Sequence, residues 1–134
     1  MILFDTPSQQ RFHPLIKQRF NNEKNTDIYI FIFDLLFETG GLDELYINEI
    51  ITNCNSNEKL FYLVGNKCDN YNIKCEKCND ILLYHREKAK MLIDKGIINK
   101  YFEVSGKTGE GLYELFNILK LDSIALVYLK QLMI

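Results

Sequence analysis

The stretch "LFYLVGNKCDN", residues 60–70, decides the fold because it passes from an apolar run directly into a polar loop. Its first part, Leu60–Val64, contains aromatic and β-branched side chains, which is typical of a strand buried on both faces of a parallel sheet. Ile28–Asp34, "IYIFIFD", has the same character. We therefore predict two buried strands, the second of which ends in the loop "GNKCDN".

Helix-like segments alternate with these strands. Residues 42–54 place apolar side chains at roughly helical spacing, and a second helix is predicted between Asp80 as its N-terminal cap and Gly96 as its C-terminal stop. Ile97–Val104 then predicts a strand and Gly109–Leu121 a last helix. This alternation predicts a three-layer α/β fold, a mainly parallel sheet with flanking helices.

The two ends of the chain add smaller elements. Met1–Phe4 is predicted to end a strand, and a short helix is predicted near Leu15–Phe20. Residues 1–121 are expected to form the domain, and residues 122–134 an apolar tail, a helix packed on the core or on a partner. The tail contains no cysteine, which a prenyl anchor requires, so no lipid anchor is expected.

The composition limits the classes of function. The 134 residues are 47% hydrophobic and 25% charged, which is ordinary for one soluble globular domain. The net charge of −2 gives no electrostatic case for binding nucleic acid. The N-terminus lacks a signal-peptide pattern, and four cysteines without secretory context indicate reduced thiols and a cytoplasmic location.

Three polar loops follow predicted strands: "DTPSQQ" at 5–10, "GNKCDN" at 65–70 and "SGKTGEG" at 105–111. Because ligands bind outside the carboxyl ends of parallel strands, we expect the three loops at one edge of the sheet. The "GKT" in the third loop is not a phosphate-binding loop. That loop requires G-x-x-x-x-G-K-[ST], and the position of its first glycine is occupied by Tyr101.

Together the three loops resemble those of the Ras-superfamily small GTPases, most closely the Rab-like branch. The family motif N-K-x-D is present as Asn66–Asp69. The motif S-A-K is present as Ser105–Lys107 with glycine in place of alanine, and D-x-x-G-Q as Asp5–Gln9 with serine in place of glycine. The order and spacing agree along nearly all of residues 1–120.

The resemblance implies a guanine-binding site. Asp69 would read the base edge, since two carboxylate oxygens complement the N1–H and N2–H₂ donors of guanine. Asn66 would brace the loop and approach the ring, and Lys67 would lay its methylene stem along it. The backbone around Ser105–Gly106 would donate to the guanine oxygen, with Lys107 beneath the base.

The resemblance also implies a phosphate and Mg²⁺ side. Asp5 would lie near Mg²⁺, Gln9 would orient the attacking water as the catalytic residue, and Ser8 would replace the glycine that meets the γ-phosphate. In the family the phosphate loop and two strands precede this motif, so the fold is expected to be truncated before its third strand. We therefore expect this chain alone to bind GTP, GDP and Mg²⁺ weakly or not at all. Pro7 and Ser8 are expected to slow hydrolysis.

The resemblance implies a molecular switch of vesicle trafficking or signalling that binds GTP and GDP and, in its complete form, hydrolyses GTP. Its expected partners are effector, exchange-factor and GTPase-activating proteins. The alternative is a degenerate interaction module that keeps the GTPase fold without nucleotide.

A zinc site is the remaining alternative. Cys75 and Cys78 could begin such a site, but structural zinc usually takes four ligands. Only Cys54 and His85 are spare, and their spacing is irregular. We expect free thiols in an insertion between strand and helix, and His85 at the surface.

Overall fold

The computed structural model describes residues 27–36, 44–53, 59–69 and 76–132. The predicted elements at Met1–Phe4 and Leu15–Phe20 lie outside these residues. Within them the chain forms strands and helices in strict alternation. The elements are β1 (Ile28–Asp34), α1 (Glu44–Asn53), β2 (Leu60–Asn66), α2 (Glu76–Asp94), β3 (Lys100–Glu103) and α3 (Leu112–Leu132).

The described strands form one parallel sheet in the order β1-β2-β3. The register pairs Ile28 with Leu60 at one end and Asp34 with Asn66 at the other. Both strands therefore end at the same edge, and their last residues are neighbours. The predicted α/β fold with a parallel sheet is confirmed, and β1 has the predicted bounds.

Apolar side chains cover both faces of the sheet and create three layers. One face packs against α1 and α2, and the other packs against α3. The first core contains Tyr29, Phe33, Leu35, Ile47, Phe61, Leu63, Ala89, Leu92 and Ile98. The second contains Tyr62, Val64, Val104, Leu115 and Leu119. Side chains of β2 enter both cores, as the continuous apolar run of this strand predicts.

The ends of α2 agree only in part with the sequence. The helix begins at Glu76, so Asp80 lies inside it and the predicted N-terminal cap is wrong. Residues 76–79, which precede Asp80 in the helix, include no glycine or proline, and the Glu76 carboxylate suits the first turn. At the other end Gly96 has φ 73° and donates to the Ile93 carbonyl at 2.9 Å, as predicted.

β3 is shorter than the predicted strand Ile97–Val104. The N–H groups of Ile97 and Ile98 donate to the Leu92 carbonyl at 2.9 and 3.2 Å. These residues therefore complete the end of α2 before the chain becomes extended at Lys100.

α3 begins later and extends further than predicted. Gly109 and Gly111 have φ 85° and 76°, which is outside the helical region, so the helix starts at Leu112. It then continues without a break to Leu132. Residues 122–132 of the apolar tail thus form the second half of one helix, and the Leu132 side chain is 79% exposed. No helix among the described residues has the length and apolarity needed to cross a membrane.

His85 is buried, with 1% of its surface exposed, so the expected surface position is wrong. It shares the inward face of α2 with Ala89 and Leu92, and its ring centroid lies 5.0 Å from that of Phe33. Its polar neighbours in the sequence occupy the outer face of the same helix.

The cysteine-rich segment differs from the expected insertion. Cys78 lies within α2 and not before the helix, while Cys54 and Cys75 lie outside the described residues. Among the residues that the structure describes, no group of three or more His, Cys, Asp and Glu side chains could hold a metal ion.

Candidate functional site

The candidate site lies at the edge where the three strands end. Backbone hydrogen bonds join the loops there. The Leu35 N–H donates to the Asn66 carbonyl at 3.1 Å, and the Cys68 N–H donates to the Val104 carbonyl at 3.0 Å. The Val104 N–H donates to the Gly65 carbonyl at 2.8 Å. These main-chain hydrogen bonds hold the loops after β2 and β3 side by side.

Asn66 joins these two loops through its side chain. Its Oδ1 accepts the N–H of Lys67 at 2.8 Å and that of Gly106 at 2.9 Å. Lys67 has φ 70°, a left-handed conformation that is uncommon outside glycine. The bond to Asn66 helps to hold this turn, and the turn directs the chain toward Asp69.

Asp69 and Ser105 form a second bridge between the loops. The Ser105 hydroxyl donates to Asp69 Oδ1 at 2.7 Å and accepts the N–H of Thr108 at 3.1 Å. Ser105 is completely buried, so this hydroxyl is fixed in the floor of the site. A carboxylate has about four lone-pair positions, and Asp69 therefore has capacity for further donors.

Lys67 makes an ion pair that the sequence analysis missed. Its Nζ lies 2.6 Å from Asp34 Oδ2, while Asp34 Oδ1 accepts the N–H of Leu36 at 2.8 Å. Asp34 thus fixes both the turn after β1 and the end of the lysine side chain. Its sequence signal is one acidic residue at the carboxyl end of an otherwise apolar strand.

These groups surround a cavity of about 350 Å³. This volume lies within the range of small-molecule sites. The lining residues are Leu36, Asn66, Lys67, Asp69, Gly106 and Lys107. Five of the predicted nucleotide-binding residues therefore line one cavity, and a sixth, Ser105, is buried beside Asp69.

A larger depression, of about 520 Å³, lies beside β3 between α2 and α3. Its main charges neutralise each other, since Arg86 contacts Glu103 through two hydrogen bonds of 2.7 and 2.9 Å. Burial acts to raise the pKa of the Glu103 carboxyl, but hydrogen bonds from Arg86 and Tyr101 outweigh it and hold that pKa below its ordinary value. We interpret this cluster as structural.

Cys68 lies next to the cavity but is a poor nucleophile. Burial, followed by the hydrogen bond and negative charge of Glu110, raises the pKa of its thiol to about 11. The thiolate is the reactive form of cysteine, and near neutral pH this side chain is a neutral thiol. The site therefore contains a binding surface of amides, one carboxylate and two lysines.

The predicted phosphate-side residues Asp5, Ser8 and Gln9 lie outside the described residues. The structure therefore brings together the residues from the second and third loops and leaves those of the first loop untested.

Comparison with known proteins identifies the family. The sequence model of the Ras family matches residues 1–124, which include all three polar loops and the whole predicted domain. No curated protein matches the chain. The parallel sheet, the joined loops and the extent of this match agree with a nucleotide-binding protein of the small GTPase type. The chain belongs to the Ras family, within the Ras superfamily of small GTPases.

Proposed function

We propose that this chain is a Rab-like small GTPase, a cytoplasmic switch of vesicle trafficking or signalling. In this proposal Asn66, Lys67, Asp69 and the segment Ser105–Lys107 bind the guanine base. Ras-family proteins in general bind GTP and GDP with Mg²⁺ and act through effector, exchange-factor and GTPase-activating proteins. We propose the same classes of partner here.

One observation supports the proposed base site most directly: Asp69 is already oriented before any ligand binds. The Ser105 hydroxyl holds Asp69 Oδ1 at 2.7 Å, and the adjoining loop is fixed by Asn66. A preorganised carboxylate loses less conformational freedom on binding. Guanine offers two adjacent donors to such a carboxylate, whereas adenine lacks this donor pair and would leave the carboxylate poorly paired.

The lysines provide the walls of the proposed base site. Asp34 holds the Lys67 ammonium group at the end of β1, so the methylene stem of Lys67 borders the cavity. Lys107 borders it from the other loop. A flat aromatic base packs between two such stems while the Lys67 ammonium group stays paired with Asp34.

The phosphate side of the proposal rests on the family alone. Asp5 would lie near Mg²⁺, which neutralises phosphate charge when bound, and Gln9 would orient water. The 134-residue sequence contains no G-x-x-x-x-G-K-[ST] pattern. With base contacts only, the dissociation constant of this chain for GDP is expected to be roughly 1 mM or weaker. Ser8 and Pro7 are expected to make hydrolysis slow.

A nucleotide-free interaction module is the second candidate. It is favoured because polar groups of the two loops already form hydrogen bonds with one another. Asn66 Oδ1 accepts two backbone N–H groups. Asp69 is likewise bonded to Ser105. Such a site is stable without a ligand, and the fold would then serve only to present a surface.

A base-selective titration separates the two candidates. The ¹⁵N-labelled chain is titrated with GDP and in parallel with ADP, up to about 10 mM of each. The switch proposal predicts NMR shifts at the amides of Lys67, Asp69, Gly106 and Lys107 that are several-fold larger with GDP. Absence of shifts, or equal shifts with both nucleotides, would support the interaction module. A sub-micromolar dissociation constant for GDP would contradict the expected weak binding.

A further inference from the structure

The second half of α3 has an outer face without charge. Residues 121–132 include only two charged side chains, Asp122 and Lys130, and both contact the body of the fold. Asp122 accepts hydrogen bonds from the Tyr62 hydroxyl and the Lys100 ammonium group. Lys130 forms an ion pair with Asp27, the residue before β1. The opposite side of this helix therefore presents no ionic group to solvent.

Four large apolar side chains form a stripe on that opposite side, which we call the outer stripe. Its members are Leu121, Ile124, Tyr128 and Leu132, which are 57%, 49%, 65% and 79% exposed. Their spacings of 3, 4 and 4 residues place them in one row on a helix of about 3.6 residues per turn.

The outer stripe faces away from the sheet. At about 100° per residue, it lies on the order of 150° around the helix from Leu115 and Leu119, which are 6% and 5% exposed in the core. The sheet therefore cannot reach the stripe from its own side. A partner that covers the stripe therefore approaches from the side of α3 that faces away from the sheet.

We propose that the outer stripe packs against the outer stripe of a second copy of this chain, in a two-fold symmetric pair of helices. A two-fold interface uses the same patch on both copies, and an uncharged apolar row is complementary to itself. Apolar spacings of 3 and 4 residues are also those with which paired helices interdigitate.

The size of the patch sets the expected strength of the dimer. The four exposed fractions correspond to roughly 500 Å² of surface per copy, so a dimer would bury about 1,000 Å², the lower limit for a specific interface. We therefore expect a weak dimer that forms as the concentration rises.

A lipid surface fits the stripe less well than a second copy. Helices that lie on membranes usually have several Lys or Arg side chains along their polar face. Lys130 is the one Lys or Arg side chain in residues 121–132, and it is paired with Asp27.

Sedimentation velocity tests the proposal on the full chain between about 5 and 500 µM, the range in which weak dimers dissociate. The mass is expected to rise from 15.8 kDa toward twice that value. The variant Leu121→Lys/Tyr128→Lys is expected to weaken association at least about ten-fold, because each dimer would bury four ammonium groups. Leu83→Lys is the matched control, since Leu83 lies on α2 and is 56% exposed; its dimer is expected to be unchanged.

Leu132→Lys is a second variant, at the most exposed position of the stripe, where folding is least at risk; it is also expected to weaken the dimer. The proposal is wrong if the unmodified chain is monomeric throughout the range, if it grows beyond a dimer, or if stripe variants associate as before. An equal loss in Leu83→Lys also contradicts it. So does stripe-dependent co-sedimentation of a monomeric chain with vesicles of anionic phospholipid.

Discussion

Gly106 occupies the position at which the family motif S-A-K has alanine. A Cβ atom built at Gly106 lies 3.7 and 3.8 Å from the Asn66 Oδ1 and Nδ2 atoms, which is ordinary contact. Gly106 is not among the glycines with positive φ, so an alanine fits both the space and the backbone. The glycine is therefore not required by the geometry of the site.

We predict that Gly106→Ala stabilises the protein by about 0.4–1 kcal/mol, because alanine reduces the conformational freedom of the unfolded chain. Urea unfolding monitored by circular dichroism measures this change. Gly111→Ala is the control: a Cβ there would lie 2.4 Å from the Glu103 carbonyl oxygen at φ 76°, and it is expected to destabilise. A lower unfolding free energy for Gly106→Ala would show that the loop needs the freedom of glycine.

At the same scale, sequence motifs predict some residues of the site, whereas one contact depends on the three-dimensional alignment of the strands. The short motifs placed Asn66, Asp69 and Ser105 in one site, because the ends of parallel strands meet at one edge. The partner of Lys67 could not be predicted in this way. Asp34 lies 33 positions earlier, and the pairing depends on how β1 and β2 align.

At the scale of the elements, α3 is joined to the sheet by a small polar cluster. The Asp122 carboxylate accepts hydrogen bonds from the Tyr62 hydroxyl and from Lys100 Nζ. Tyr62 is completely buried. Burial, together with the hydrogen bond and charge of Asp122, raises the pKa of Tyr62 far above its ordinary value, so the phenol remains a neutral donor.

Asp122→Ala is predicted to destabilise the protein by about 1–3 kcal/mol, because it removes the acceptor of a buried hydroxyl. Tyr62→Phe is the matched partner variant, and the double variant should lose less than the sum of the two single losses. Urea unfolding of the four proteins gives this coupling energy. Additive losses would mean that the two side chains contribute independently.

The elements themselves were predicted better than their ends. The uninterrupted apolar composition of β1 was enough to fix both its bounds. Helix ends depend on local backbone geometry, which the spacing of apolar residues does not show. The positive φ of Gly109 and Gly111 places the start of α3 at Leu112. The wrong N-terminal cap of α2 has the same cause. Asp80 is a residue type that suits a cap, but the chain is already helical at Glu76.

At the scale of the whole molecule, groups with shifted pKa predict losses of stability at both extremes of pH. Burial acts to raise the pKa values of Glu103 and Asp122, but hydrogen bonds from Arg86 and Tyr101 and from Lys100 and Tyr62, respectively, lower both overall. A folded pKa below the unfolded value gives stability that is present above the unfolded value, about 4. That stability is lost as the pH falls through the folded value.

The alkaline side has the opposite sign. The pKa of Cys68 is raised from 9.0 to about 11, so its contribution is complete below pH 9.0 and is lost as the pH rises toward 11. Thermal unfolding across pH 2–11 is expected to show both losses. Glu103→Gln should make the fall of the unfolding midpoint at acid pH smaller, and Cys68→Ala should make the fall at alkaline pH smaller. The assignment of these losses to Glu103 and Cys68 would be contradicted by a thermal unfolding midpoint that does not change with pH below 4. It would also be contradicted if the midpoint of each variant changed with pH as steeply as that of the unmodified chain.

The central claim is that Asp69 reads the base, and Asp69→Asn tests it most directly. The asparagine oxygen can still accept the Ser105 hydroxyl, so the floor of the site is kept, while its amide now donates where the carboxylate accepted. Xanthine has an oxygen where guanine has its 2-amino group. NMR titration of both proteins with GMP and xanthosine monophosphate should show the unmodified chain preferring GMP and the variant preferring the xanthine nucleotide. The same preference in both proteins, or no binding of either nucleotide, would contradict guanine recognition at this site.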